Sequence, residues 1–253
     1  MRGASAELNH ESIVNLNVGC AVPSGTYKLV RLKSSGAQQP CKVLTLEDGA
    51  KWRQMQSPSQ LVVPTIYNHK PTIMVNGVMH FLYQSHLDKD YHHILRLDLE
   101  SEEWMPSIKA PMRSFDQLHR KTQTRCMVQL NDTLCIVQES SINTWLIWLM
   151  NDPAKGTWIK AYTIPMASPC DSVMPLRVMR DGRKLLFYVY GSVNLYTMAA
   201  STLQVYDPLT GKCTYHLKFA SNLLGRAFPC DLHLENFVSP KISLMATPSV
   251  CLV

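Results

Sequence analysis

Apolar and polar residues alternate along this chain in short runs, and nearly every run stops at a turn-forming residue. Clear examples are "YKLVRL" (Tyr27 to Leu32), "CKVLTL" (Cys41 to Leu46), "VMHFLYQ" (Val78 to Gln84) and "HILRLDL" (His93 to Leu99). "TRCMVQL", "TLCIVQE", "TWLIWLM", "KLLFYVYG", "TLQVYD" and "KCTYHLKF" continue the pattern toward the C-terminal end. Alternation with a period of two puts one set of side chains on each face of a strand, so these runs are expected to be half-buried β-strands. No stretch keeps the longer period of a helix, and the expected class is all-β. Asn76-Gly77, Asn131-Asp132 and Asp181-Gly182 each stand between two such runs. These residue types tolerate the positive φ of a tight turn, so each pair is expected to close a hairpin.

The pattern repeats. "LTLEDGAKW" ends at Trp52, "LDLESEEW" at Trp104, "WLMNDPAKGTW" at Trp158 and "VYDPLTGKC" at Cys213. The landmarks are 52, 54 and 55 residues apart, and each period holds four strands. A period of this size built from four short strands is that of a β-propeller blade, kelch-type blades running at about 50 residues. One four-stranded sheet cannot cover both of its own faces, so successive blades must shield one another. Each tryptophan is therefore expected to pack between blades, its indole N–H meeting a polar partner at the blade edge. An aromatic platform for a ligand is the other reading, but recurrence at equivalent positions favours architecture. Cys213 takes the place in the fourth unit, where Tyr215 is expected to supply the packing. The expected architecture is a kelch-like β-propeller of about four recognisable blades, incompletely or irregularly closed. Residues 1–26 read as an N-terminal remnant or partial strand, 27–219 as the blades, and 220–253 as a tail that supplies a closing strand.

Composition narrows the class of protein. With 253 residues, 46% hydrophobic and 17% charged, the chain can bury a substantial core as one domain. The net charge of +6 is spread along the sequence rather than gathered on one stripe, which argues against nucleic acid as a partner. The densest basic run, His119 to Arg125, reads as a solvated connection between units. The eight cysteines form no CxxC pair. In a hairpin turning at Asn131-Asp132, Cys126 would face Val137 and Cys135 would face Val128, so the two would not oppose each other. Reduced thiols packed as small apolar groups are expected, without zinc or a disulfide framework. No apolar signal segment opens the sequence, and the longest apolar runs fall short of the ~20 residues that span a bilayer. A soluble protein of the cytosol or nucleus, with no membrane partner, is the expectation.

Chemistry is sparse. The richest cluster of ligating groups is "HLDKDYHH", with His86, Asp88, Asp90, His92 and His93. Asp88, Asp90 and His92 alternate and would share a face in extended chain, as metal ligands do. Their position in a variable loop between the second and third strands of a unit favours a solvated loop instead. No nucleophile elbow, phosphate loop, dinucleotide fingerprint or paired-histidine zinc motif occurs. His80 and His216, within strands, read as packed or edge residues. No catalytic, cofactor-binding or metal-binding residue is assigned, and a non-catalytic role without cofactor is expected. A propeller enzyme or glycan-binding module is the alternative, which carboxylates converging on a central channel would favour. The polar loops at 84–93, 138–144 and 191–201 are the expected contact surface.

Several segments taken in order resemble the F-box-associated domain of plants. They are "VPSGTYKLVRLK" (Val22 to Lys33), "CKVLTLEDGAKWRQM" (Cys41 to Met55), "VNGVMHFL" (Val75 to Leu82) and "ILRLDLESEEW" (Ile94 to Trp104). "LNDTLCIVQE", "TWLIWLMNDPAKGTWIKAYTI", "LQVYDPLTGKCTYHL" and "LENFVSP" extend the resemblance to about residue 240. It implies a kelch-related propeller that follows an F-box and holds substrates for a Skp–cullin–F-box ubiquitin ligase. The implied partner is a protein substrate, with a Skp-type adaptor joining only where an F-box is supplied. The F-box and the first strand end of the family pattern are missing from these residues. A truncated form that binds substrate without assembling a ligase is therefore a further expectation.

Overall fold

The computed structural model describes residues 14–33, 39–60, 72–84, 91–113, 125–141, 143–168, 170, 172–191 and 200–220. Among these residues there are sixteen strands and no helix. The first sheet holds β1 (Val14–Cys20), β2 (Tyr27–Lys33), β3 (Cys41–Thr45) and β4 (Arg53–Met55). The second holds β5 (Thr72–Val75), β6 (Val78–Gln84), β7 (Tyr91–Asp98) and β8 (Glu103–Arg113). β9 (Arg125–Leu130), β10 (Thr133–Ser141), β11 (Thr144–Asp152) and β12 (Thr157–Pro165) make the third. β13 (Ser172–Val178), β14 (Leu185–Gly191), β15 (Ala200–Asp207) and β16 (Lys212–Ala220) make the fourth. Every sheet is an antiparallel meander whose strand order follows the chain, and none closes on itself. These four open sheets are the four sequence units, and they form an incomplete β-propeller.

The turns obey the local chemistry. Asn131 and Asp132 both take positive φ, 47° and 58°, as a two-residue hairpin requires. Asn76 and Gly77 do the same. Gly77 is fixed twice, because a Cβ there would lie 3.0 Å from the Val22 backbone nitrogen on the neighbouring sheet. Asp181-Gly182 closes a wider turn than a tight hairpin. Only Gly182 has positive φ, and the ladder resumes at the bond from Met179 N–H to Lys184 C=O. The register of the third sheet sets Cys135 opposite Val128 and Val137 opposite Cys126, and both cysteines are free thiols.

Three hydrophobic cores lie between consecutive sheets. The first joins Val30, Leu32, Cys41 and Val43 of sheet 1 to Met79, Phe81, Leu95 and Leu97 of sheet 2. The next joins Leu82, Ile94 and Ile108 of sheet 2 to Leu134, Ile136 and Met150 of sheet 3. The last packs Val137, Trp145, Ile147 and Ile164 of sheet 3 on Val173, Leu185 and Phe187 of sheet 4. Sheets 2 and 3 are thus covered on both faces. That explains the nearly continuous apolar run of β11: Trp145 and Ile147 serve one core, Trp148 and Met150 the other.

Candidate interaction surface

In a four-stranded meander the first and third connections lie at one end of the sheet and the second at the other. The first and third connections of all four sheets meet as one surface, because polar bonds tie each sheet's turns to the next. Ser24 Oγ donates to Glu100 Oε2 at 2.7 Å, from the first connection of sheet 1 to the third connection of sheet 2. Asn76 Nδ2 donates to the Asp132 carbonyl at 3.1 Å. The Val178 N–H donates to Asn131 Oδ1 at 3.4 Å, linking sheets 3 and 4.

A recurring aspartate shapes these turns. Asp98, Asp152 and Asp207 each stand six residues before the landmark Trp104, Trp158 or Cys213. The Asp98 Oδ1 accepts from Glu100 and Ser101 N–H, and Asp152 Oδ1 from Ala154 and Lys155 N–H. Asp207 Oδ1 accepts from Leu209 N–H at 3.0 Å. Such a carboxylate holds the turn in shape and satisfies its free donors. Asp181 does likewise for Arg183 and Lys184, and those backbone bonds, ahead of the neighbouring cations, hold its carboxyl below the usual range.

Behind the rim sit buried cations. Lys28 is 7% exposed; its Nζ donates to the Leu99 carbonyl and lies 2.7 Å from Glu102 Oε1. Arg53 grips both oxygens of the same carboxylate through its two terminal nitrogens. Glu102 stands at φ 59°, where Gly156 and Gly211 occupy the matching positions of sheets 3 and 4. A left-handed backbone is costly for a glutamate, and here its carboxylate carries the contact between sheets. Arg96, also buried, spends its guanidinium on main-chain oxygens: Pro106 twice, at 3.0 and 2.8 Å, and Pro153 of sheet 3 at 2.7 Å. Burial lowers its pKa, and its charge bears on His80 across the strand pair.

Outside this cement, the rim exposes Glu47, Asp48 and Lys51 on sheet 1, Glu100 on sheet 2, Asp132 and Lys155 on sheet 3, and Arg180, Asp181 and Arg183 on sheet 4. Among the described residues the rim assembles no nucleophile with a base. The Cys41 thiol is pushed up to about 12 by burial, and burial also raises Cys135 and Cys213, so these thiols stay protonated and unreactive.

The residues singled out from sequence fall as follows. Residues 85–90, with His86, Asp88 and Asp90, lie outside the described residues. His92 and His93 stand within β7 rather than in a loop, and the His93 ring lies 5.7 Å from that of Tyr83. Among the described residues no group of three or more ligating side chains gathers. Positions 138–144, expected as a loop, are mostly strand: Gln138 to Ser141 end β10, Thr144 opens β11, and the chain reverses at Asn143, φ 66°. Of 191–201, residues 192–199 lie outside the described residues, and Gly191, Ala200 and Ser201 belong to strands. His80 is buried in β6 and held neutral, its pKa lowered to about 4, while His216 is exposed on β16. Trp104 and Trp158 pack between sheets, and their indole N–H groups donate to the Gln56 and Lys109 carbonyls at 2.8 and 2.9 Å. Cys213 packs on the last core; the Tyr215 side chain lies outside the described residues. Sequence reading missed the aspartate six residues before Trp104, Trp158 and Cys213, a signal that was present. It also missed Lys28, Arg53, Arg96 and Glu102, whose partners are distant in the chain.

The fold defines a repeat module of stacked four-stranded blades with a polar rim and no assembled catalytic group among the described residues. The family of F-box associated β-propeller domains matches residues 20–182, well over half of the sequence. The chain belongs to that family, which is a substrate-binding propeller and not a known catalytic one. The match spans sheet 1 from the end of β1 to the turn after β13, and the fourth sheet continues the same plan beyond it. No curated protein matches the chain.

Proposed function

We propose that the chain is a non-catalytic recognition module that holds a protein substrate for a Skp–cullin–F-box ubiquitin ligase. Membership of the F-box associated propeller family carries this reading. The polar rim, knitted from sheet to sheet, supports it as a stiff contact surface. The adaptor joins through an F-box and not through the blades, and the proposed setting is the cytosol or nucleus.

The test is affinity capture from plant tissue, using the chain alone and the chain fused to an F-box, followed by mass spectrometry. The same substrate proteins are expected on both baits, with the adaptor on the fused bait alone. Adaptor capture by the unfused chain would overturn the division of labour. Failure of both baits to retain any protein beyond a bare-resin control would overturn the recognition role.

A further inference from the structure

One cross-strand pair at the middle of each sheet has a fixed place, its later member nine or ten residues before the landmark. In sheet 2 the pair is Phe81 opposite Leu95, packed into the core shared with sheet 1. Sheet 3 sets Ile136 opposite Trp148, against sheet 2. Sheet 4 sets Phe187 opposite Gln204, both buried, with Phe187 in the core shared with sheet 3. The matching pair of sheet 1 is Arg31 opposite Lys42. Val30, Leu32, Cys41 and Val43 point into the core with sheet 2, so alternation sends Arg31 and Lys42 to the other face. Lys33 joins them there, about 7 Å further along β2.

Like charges directly opposite each other on a strand pair repel. Lys28, Arg53, Lys155 and Lys184 each meet a carboxylate, whereas Arg31, Lys33 and Lys42 meet none among the described residues. The carboxylates of sheet 1 among those residues are Glu47 and Asp48, in the turn at the rim end and on the far side of Leu46 from Lys42. Arg31 is held in another way: its guanidinium carbon lies 5.6 Å from the centre of the Trp52 ring. Such a stack fixes the guanidinium plane and leaves its N–H edges for an acceptor. Gln54, exposed and opposite Lys42, adds an amide to the same row.

We propose that these three cations, at the end of sheet 1 away from the rim, dock an acidic segment of a partner protein. Charge complementarity selects the occupant. An apolar sheet laid over Arg31 and Lys42 would strip water from two unpaired charges, a heavy cost, whereas carboxylates both neutralise them and end their repulsion. Spacing sets its form: alternate residues of an extended segment stand about 7 Å apart, as Arg31 and Lys33 do. A segment with acidic side chains at alternate positions therefore meets both, one of them through the two-pronged edge of Arg31. Leu16, 58% exposed, stands directly opposite Arg31 in the same row. A peptide can set an apolar side chain there and a phosphate chain cannot, so the anion comes from protein. This site lies apart from the rim and does not rest on the ligase reading.

Fluorescence anisotropy of a short labelled peptide alternating glutamate and leucine, titrated with the 253-residue chain, tests it. Binding is expected, and it should weaken steeply as salt is raised. Lys42→Glu sets a carboxylate opposite Arg31 and should weaken binding by about tenfold or more. The same change ends the like-charge pair, so its urea midpoint should rise. A residue with a purely structural role would not move the two readouts in opposite directions. Lys155→Glu, on the rim of sheet 3, should leave binding in place. Far-UV circular dichroism confirms that each variant is folded. A wild type that does not bind the peptide overturns the proposal, as does binding that Lys42→Glu leaves unchanged or that Lys155→Glu weakens equally. A urea midpoint that falls in Lys42→Glu overturns it too. Tighter binding of an oligothymidylate strand than of the peptide would assign the cations to nucleic acid instead and overturn it as well.

Discussion

The junction between sheets 1 and 2 and the junction between sheets 3 and 4 are made from the same repeat and held differently. The first sets a buried lysine against a glutamate with a strained backbone, adds a forked arginine, and ties turn to turn through Ser24 and Glu100. The last is a wall of apolar and aromatic groups, with Phe187 fully buried and Tyr162 meeting Tyr206 edge-on at 6.4 Å. Apolar packing is non-directional and holds no charge to titrate or to screen. A buried ion pair adds little net stability but strongly penalises a lost partner, so it fixes which residues must meet. The repeat supplies the sheet; the residues at each junction decide whether it is held by area or by matched partners.

That contrast can be broken at either end. Phe187→Ala removes a fully buried ring from the apolar junction and should cost about 4 kcal/mol in urea unfolding, unchanged by salt. At the polar junction, Glu102→Ala strands the Lys28 charge and should cost about 3 kcal/mol. The double change Lys28→Met with Glu102→Leu should recover most of that loss. Arg53→Ala, on a side chain that is half exposed, should cost under about 1 kcal/mol.

Acid probes sheet 2, whose His80 is buried beside Arg96. Burial is the main cause of its pKa falling from 6.5 to about 4; the Arg96 charge pushes the same way, and backbone hydrogen bonds at Val78 and Ile73 oppose. The unfolded chain takes up this proton near 6.5 and the folded chain only near 4. The contribution is therefore complete above 6.5, falls as the pH drops through that window, and levels off below it. The 2.5-unit difference corresponds to about 3 kcal/mol. Urea midpoints measured from neutral pH to pH 4 should show this slope, and His80→Gln should flatten it.

The smallest effect separates two tryptophans. Trp158→Phe loses the bond to the Lys109 carbonyl and should cost about 1 kcal/mol. Trp145 is 1% exposed with its indole nitrogen unpartnered, so Trp145→Phe relieves that penalty while opening a small gap. Its net cost should lie within about 0.5 kcal/mol of zero.

Much of the fold was legible because its cause is local. Alternation gave the strands, Asn-Gly and Asn-Asp gave the turns, and one register placed Cys126 and Cys135 correctly before any coordinates. β1 was harder to read. Leu16 and Val18 face outward and are each 58% exposed, so the burial that makes a strand pattern convincing is weak there. Glu102 was illegible for a different reason: glycine fills its backbone position in the later blades, and only the distant Lys28 and Arg53 explain the exception. Polar composition drew attention to the loops between second and third strands, of which residues 85–90 and 192–199 lie outside the described residues. The turns that knit the sheets together, at the opposite end, hide their bonds between residues dozens of positions apart.

The central claim is that sheets 2 and 3 are each locked onto the sheet before by the tryptophan of the outer strand. Hydrogen exchange of the indole N–H groups, resolved by NMR and assigned with single Trp→Phe variants, measures this directly. The Trp104 and Trp158 protons should exchange far more slowly than those of free tryptophan, because each is bonded to a main-chain carbonyl between sheets. Exchange of both at the rate of a free indole would contradict the account.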